Sequence, residues 1–185
     1  MKIDEIIKEQ EAQISNIIED YAYDNKNVDS ENGNNLFDEL VDAYQDGSYT
    51  DMDDRISEIA DSNVPIYFQD YIKWFEKNYE DIEEEDFCIL KDDEKNGVGF
   101  VSKVIPSAIY RANINFLYSM QDEAKKKAAI LILKEYEIPS VSNEKLEELF
   151  NSLKNTEDIR IEVEVFVDDL KEEAQEESKK KIKEK

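Results

Sequence analysis

The sequence predicts an α+β protein, mainly α-helical, in which helical hairpins carry a small β-hairpin and a C-terminal strand. Three observations predict it. Apolar residues recur at helical spacing through most of the 185 residues. An Asn-Gly pair stands between two short apolar runs. One late segment alternates apolar and polar residues without a break. Aromatic residues at 10% of the chain, together with this periodicity, separate it from disordered acidic sequences.

Ile3, Ile6, Ile7, Ile14, Ile17, Ile18 and Tyr21 predict an amphipathic helix over 3–23. Residues 24–35, DNKNVDSENGNN, read as a loop. Leu36, Phe37, Leu40, Val41 and Tyr44 form the stripe of a short helix, which Asp46-Gly47-Ser48 ends. Ile56, Ile59 and Ala60 mark another, broken at Ser62-Asn63-Val64-Pro65, and an aromatic helix resumes from Ile66 to Tyr79. EDIEEED, residues 80–86, is an acidic linker. The β-hairpin is predicted at about 87–104, where FCIL and VGFVSKV flank KDDEKNG and its Asn96-Gly97 turn. Pro106 opens a helical pattern that runs to about Tyr136 with a break near Gln121-Asp122. Ile138-Pro139 stops it, and Ser142 or Asn143 caps the helix LEELFNSL. In DIRIEVEVFVDD, the alternation of Ile159, Ile161, Val163, Val165 and Val167 favours a strand. A helical stripe of Ile159, Val163, Phe166, Val167 and Leu170 competes with it, but a helix would expose Ile161 and Val165. The organisation expected is one acidic domain over 1–170, with a helical acidic half (1–85) and a hairpin-plus-helices half (86–170), then a polar charged tail over 171–185.

Composition excludes several functions. With 47 acids against 23 bases the net charge is −24, which repels nucleic acid and anionic membranes. Neither is an expected direct partner. Cys88 is the only cysteine, which fits a reducing cytoplasm. MKIDEIIKEQEAQ has no signal-like apolar run, and no stretch approaches 18 apolar residues. A cytoplasmic location is therefore expected. With no histidine and no Gly-rich phosphate loop, no cofactor and no enzymatic activity are expected. Asp92, Glu94, Asn96 and Gly97 match part of a calcium loop, but Lys103 stands where the bidentate Glu belongs, so no metal is expected. DRISEIADSNVPIYFQDYIKWFEK has a helix–turn–helix outline, yet its second helix sets only Lys73 and Lys77 against acids, too little for phosphate contacts. Lys125–Lys127 and Lys179–Lys181 read as solvated helix faces.

Charge is uneven along the chain. Residues 1–100 hold 29 acids and 8 bases; residues 101–185 hold 18 and 15. From Asp38 to Asp61, nine carboxylates face Arg55 alone. Asp38, Asp42, Asp46, Asp51, Asp53, Asp54, Glu83, Glu84 and Glu85 are the candidate phosphate surrogates of a partner-binding surface. Tyr44 and Tyr49, interleaved with them, are the candidate aromatic anchors. Such density approaches that of duplex DNA, about one charge per 1.7 Å of axis. The competing reading is a surface whose acidity serves only solubility, as in an accessory or structural protein.

The segment EIADSNVPIYFQDYIKWFEKN resembles one found in small, acidic, largely uncharacterised bacteriophage proteins. The likeness covers about Ile56 to Asn78, an "EIAD…VPIY" turn between two helices. It implies a phage setting and no catalytic residues. It also implies a DNA mimic of the anti-restriction or anti-CRISPR kind. Such a protein inhibits by filling the basic groove of a host nucleic-acid-binding protein, such as a CRISPR effector or a restriction enzyme.

Overall fold

A computed structural model describes residues 1–25, 28–47, 51–65, 70, 73–74 and 101–183. The described residues form seven helices: α1 (Ile3–Asn25), α2 (Ser30–Asp46), α3 (Met52–Ser62), α4 (Val101–Ser119), α5 (Gln121–Glu135), α6 (Asn143–Leu153) and α7 (Ile159–Lys183). Among the described residues there is no strand; one isolated antiparallel bridge joins Lys2 and Ser140. The α+β expectation is thus corrected: the described residues are all-helical, with no β-hairpin and no C-terminal strand among them.

The predicted C-terminal strand over 159–167 is the start of α7. Ile159, Val163 and Val167, one turn apart, are each at most 1% exposed, while Ile161 and Val165 stand 56% and 54% exposed. A strand would bury Ile161 and Val165 on the same face as these three, so their exposure selects the helical stripe. Backbone pairing agrees: a strand with no neighbour leaves its N–H and C=O groups unpaired, whereas a helix satisfies them internally. The β-hairpin expected at about 87–104 fails at its second strand, because residues 101–104 are the first turn of α4. Its remainder, residues 87–100, lies outside the described residues, as do the 80–86 linker and most of the aromatic helix expected over 66–79. Pro106 stands inside α4 and does not open it.

α2 starts earlier than expected, at Ser30. Asp29 caps it: the Asn32 N–H donates to Asp29 Oδ1 at 2.8 Å and the Gly33 N–H to the Asp29 carbonyl at 2.8 Å. Gly47, at φ +66°, ends it in the left-handed conformation.

The chain divides into two compact units. The first comprises Met1–Ser15, Leu40–Thr50 and Gln121–Lys185; the second comprises Asn16–Glu39 and Asp51–Met120. In the first, α5, α6 and α7 pack on one another. Ala124, Ala128, Ile132 and Leu133 of α5 are fully buried there, as are Leu149 and Leu153 of α6. In the second, α3 packs on α4, burying Met52, Ile56 and Ile59 as well as Phe116 and Leu117. Each such side chain contributes about 1.5–3 kcal/mol on leaving water. The Tyr21 and Phe116 rings meet edge to face at 5.1 Å. Gly33 sits so close that a Cβ there would lie 2.9 Å from Ile18 Cγ2 and 3.3 Å from the Phe116 ring.

Candidate acidic interaction surface

α2 projects Asp38, Asp42 and Asp46 at i, i+4 and i+8, all exposed on one helix face. One helical turn rises about 6 Å between them. In the first unit, Asp42 and Asp46 line an open hollow of about 330 Å³ with Gln45 and Arg160. Arg160, in the first turn of α7, donates to the Gln45 carbonyl at 2.9 Å and to Glu135 Oε2 at 3.0 Å. Gln45 Nε2 reaches Glu135 Oε1 at 3.1 Å. These hydrogen bonds, first from Arg160 and then from Gln45, hold the Glu135 carboxyl below its usual range. Arg160 therefore supplies a cation at the C-terminal end of α2, whose own last turn has no base.

In the second unit, Asp51, Asp53 and Asp54 begin α3. Asp51 is its N-cap and accepts from the N–H groups of Asp53 at 2.8 Å and Asp54 at 3.4 Å. Asp53 and Asp54 occupy the first turn, where negative charge suits the helix dipole. Three of the predicted surrogates thus have a local structural role. Arg55, the one base of this stretch, pairs with Glu58 at 3.0 Å. The last turn of α3 itself has no base. Asn63 Nδ2 donates to the Ile59 carbonyl at 2.8 Å, and buried Asn113 to the Ala60 carbonyl at 3.1 Å. Asp61 is exposed beside them in the last turn. α1 ends in the same way, with Asp20 and Asp24 exposed and no base in its last turn.

Tyr118 of α4, 43% exposed, donates its hydroxyl to Asp53 Oδ1 at 2.8 Å. That bond, with the nearby charge of Asp53, raises the phenol pKa. The arrangement is an exposed aromatic beside a carboxylate, the pairing expected of Tyr44 and Tyr49. Tyr44 itself is fully buried, with Lys125 Nζ 5.8 Å from its ring centre and Gln121 Nε2 3.2 Å from its hydroxyl. It is a core residue and cannot reach a partner. Lys125, expected on a solvated face, is only 8% exposed for the same reason; Lys179–Lys181 are exposed. Tyr49, Glu83, Glu84 and Glu85 lie outside the described residues, as does most of the 92–103 loop.

Sequence reasoning missed Tyr118 and Arg160. Tyr118 is 65 residues from Asp53 and Arg160 is 115 from Gln45, so no local pattern announced either contact. Among the described residues no cluster of three or more metal-ligating side chains occurs, and no helix is long and apolar enough to cross a membrane. Comparison with protein-family models, curated proteins and solved structures gives no match.

Proposed function

We propose that this chain acts by presenting carboxylates to the basic, nucleic-acid-binding surface of a partner protein, and so competes with DNA or RNA for it. The observation that carries this is the placement of exposed acids against their own helices. Asp24 and Asp61 stand in last turns where negative charge opposes the dipole, at a cost of about 0.3–1 kcal/mol each. Neither makes a hydrogen bond or ion pair through its side chain among the described residues. Solubility alone does not call for acids at the least favourable positions. Magnitude sets a condition. The α2 row carries one charge per about 6 Å, against one per 3.4 Å for a single DNA strand. Mimicry at DNA density therefore needs further charge; the second unit by itself exposes Asp54 and Asp61 on α3. Tyr118 adds the rigid aromatic area typical of hot spots. A phage origin, and a CRISPR effector or restriction enzyme as the target, belong to this proposal through the resemblance of the 56–78 segment.

The test is capture of partners from a bacterial lysate at about 50 and 200 mM salt, followed by competition with labelled duplex DNA. Loss of capture across that range and displacement of the duplex are expected. A captured protein that binds the duplex and this chain at once, or whose capture ignores salt, sinks the proposal and leaves acidity to solubility.

A further inference from the structure

We propose that the exposed face of α7 is a self-association surface, on which a second copy of this chain docks its own α7 antiparallel. Ile161, Val165, Asp168, Glu172, Gln175, Lys179 and Ile182 follow the alternating four-and-three spacing of a coiled-coil seam. This seam lies opposite the stripe of Ile159, Val163 and Val167 that faces the core of the first unit. All its members are exposed, and Ile161, Val165 and Ile182 are 56%, 54% and 75% so. Lys145 Nζ of α6 reaches Glu173 Oε1 of α7 at 2.7 Å, and every residue from Lys171 to Ile182 is exposed.

Charge selects the occupant and its direction. The stripe is acidic at Asp168 and Glu172 and basic at Lys179. A parallel pair would set each like charge on its equal. An antiparallel pair aligns Val165 with Ile182 of the second copy. The next layers become Asp168 with Lys179, then Glu172 with Gln175, and the series repeats in reverse. The two apolar layers lie at the ends and the polar layers fix the register, as polar seam residues do in coiled coils. The high negative charge of the chain opposes association at long range, but at about 0.15 M salt the screening length is about 8 Å.

Sedimentation at chain concentrations up to about 1 mM, where weak association is measurable, and about 0.15 M salt reads the outcome. The wild-type mass is expected to double, and Val165→Glu or Ile182→Glu to keep the monomer mass with unchanged helical circular dichroism. Both positions are exposed, so the fold tolerates the charge. Asp168→Lys or Lys179→Asp alone should weaken the dimer about tenfold, because each places like charges at two symmetric positions. The double exchange should restore it. In a Cys88→Ser background, Val165→Cys with Ile182→Cys should cross-link between copies, since the two sites are about 26 Å apart along one helix. A monomer throughout the range overturns the proposal. So does a dimer insensitive to both Glu variants, or one in which Val165→Cys alone cross-links to itself.

Discussion

The two ends of a helix favour opposite charges, and the two parts of this chain respond differently. In α5, Asp122 and Glu123 occupy the first turn and Lys134 the last; in α7, Glu162 is first and lysines close the helix. Both last turns follow the dipole, although the first turn of α7 also holds Arg160. In α1 and α3 the first turns also carry acids, Asp4 and Glu5 or Asp53 and Asp54, but the last turns carry Asp24 and Asp61 with no base. The difference separates two kinds of carboxylate. Those at N-termini stabilise the helix they begin. Those at C-termini weaken theirs.

The largest effect expected from this difference is on partner binding. Reversing Asp20, Asp24 and Asp61 to Lys should weaken capture of the partner by about 0.6–3 kcal/mol, at 0.2–1 kcal/mol per exposed charge. Reversing Glu147, Asp169 and Glu177, equally exposed acids of the first unit, should leave capture nearly unchanged. Equal losses from both sets would mean that bulk charge drives binding. Next in size is Asp51→Ala, which removes the α3 cap and should cost about 0.5–2 kcal/mol, read as a lowered denaturation midpoint. This sets a limit on mutagenesis, since acids at the start of α3 cannot be exchanged without damage to the helix. Asp61→Lys should do the reverse and raise stability by about 0.3–1 kcal/mol, while Lys134→Glu, at a dipole-aligned end that also binds Asp4 at 2.9 Å, should lower it by a similar amount. If Asp61→Lys destabilises, the dipole account of the acidic half fails.

The smallest effect is on pH dependence. Lys134 lowers the Asp4 pKa by hydrogen bond and charge, and Arg160 lowers that of Glu135. A carboxyl lowered on folding contributes stability that is present above its unfolded pKa, about 4, and lost as pH falls through the folded value. Protection of α5 and α7 against hydrogen exchange should therefore decline below about pH 4. Glu135→Gln should start lower by about 0.2–1 kcal/mol near neutrality and converge with wild type in acid. A constant gap down to pH 2 would mean that the contact is held by packing.

Much of this was legible in the sequence, for physical reasons that differ by element. α1, α3 and α6 announce themselves because apolar residues at period 3.6 can bury only one way. The start of α2 is hidden, since Asp29 is one acid among many Asn and Asp residues, and Gly33 looks like a loop residue until Ile18 and Phe116 are seen against it. Residues 159–167 carry two periodicities at once, and the exposure of Ile161 and Val165, together with the absence of a neighbouring strand among the described residues, decides between them. At the candidate site, the acidic row of α2 is plain from spacing. Tyr44 was legible too: it lies on the stripe of Leu40 and Val41, and that position outweighs its acidic neighbours. The bonds of Tyr118 and Arg160 depend on tertiary structure, and no window of sequence contains them.

The composition of the first unit has a consequence in time. Asp4 meets Lys134 across 130 residues of chain, and Val141 donates its N–H to the carbonyl of Met1. At a synthesis rate of about 5–20 residues per second, the early part of α1 waits on the order of 6–26 s before its partners exist. During that interval Ile3, Ile6 and Ile14, buried in the finished fold, have nothing of the α5–α7 group to cover them. Helix formation can begin early, but the first unit can close only late.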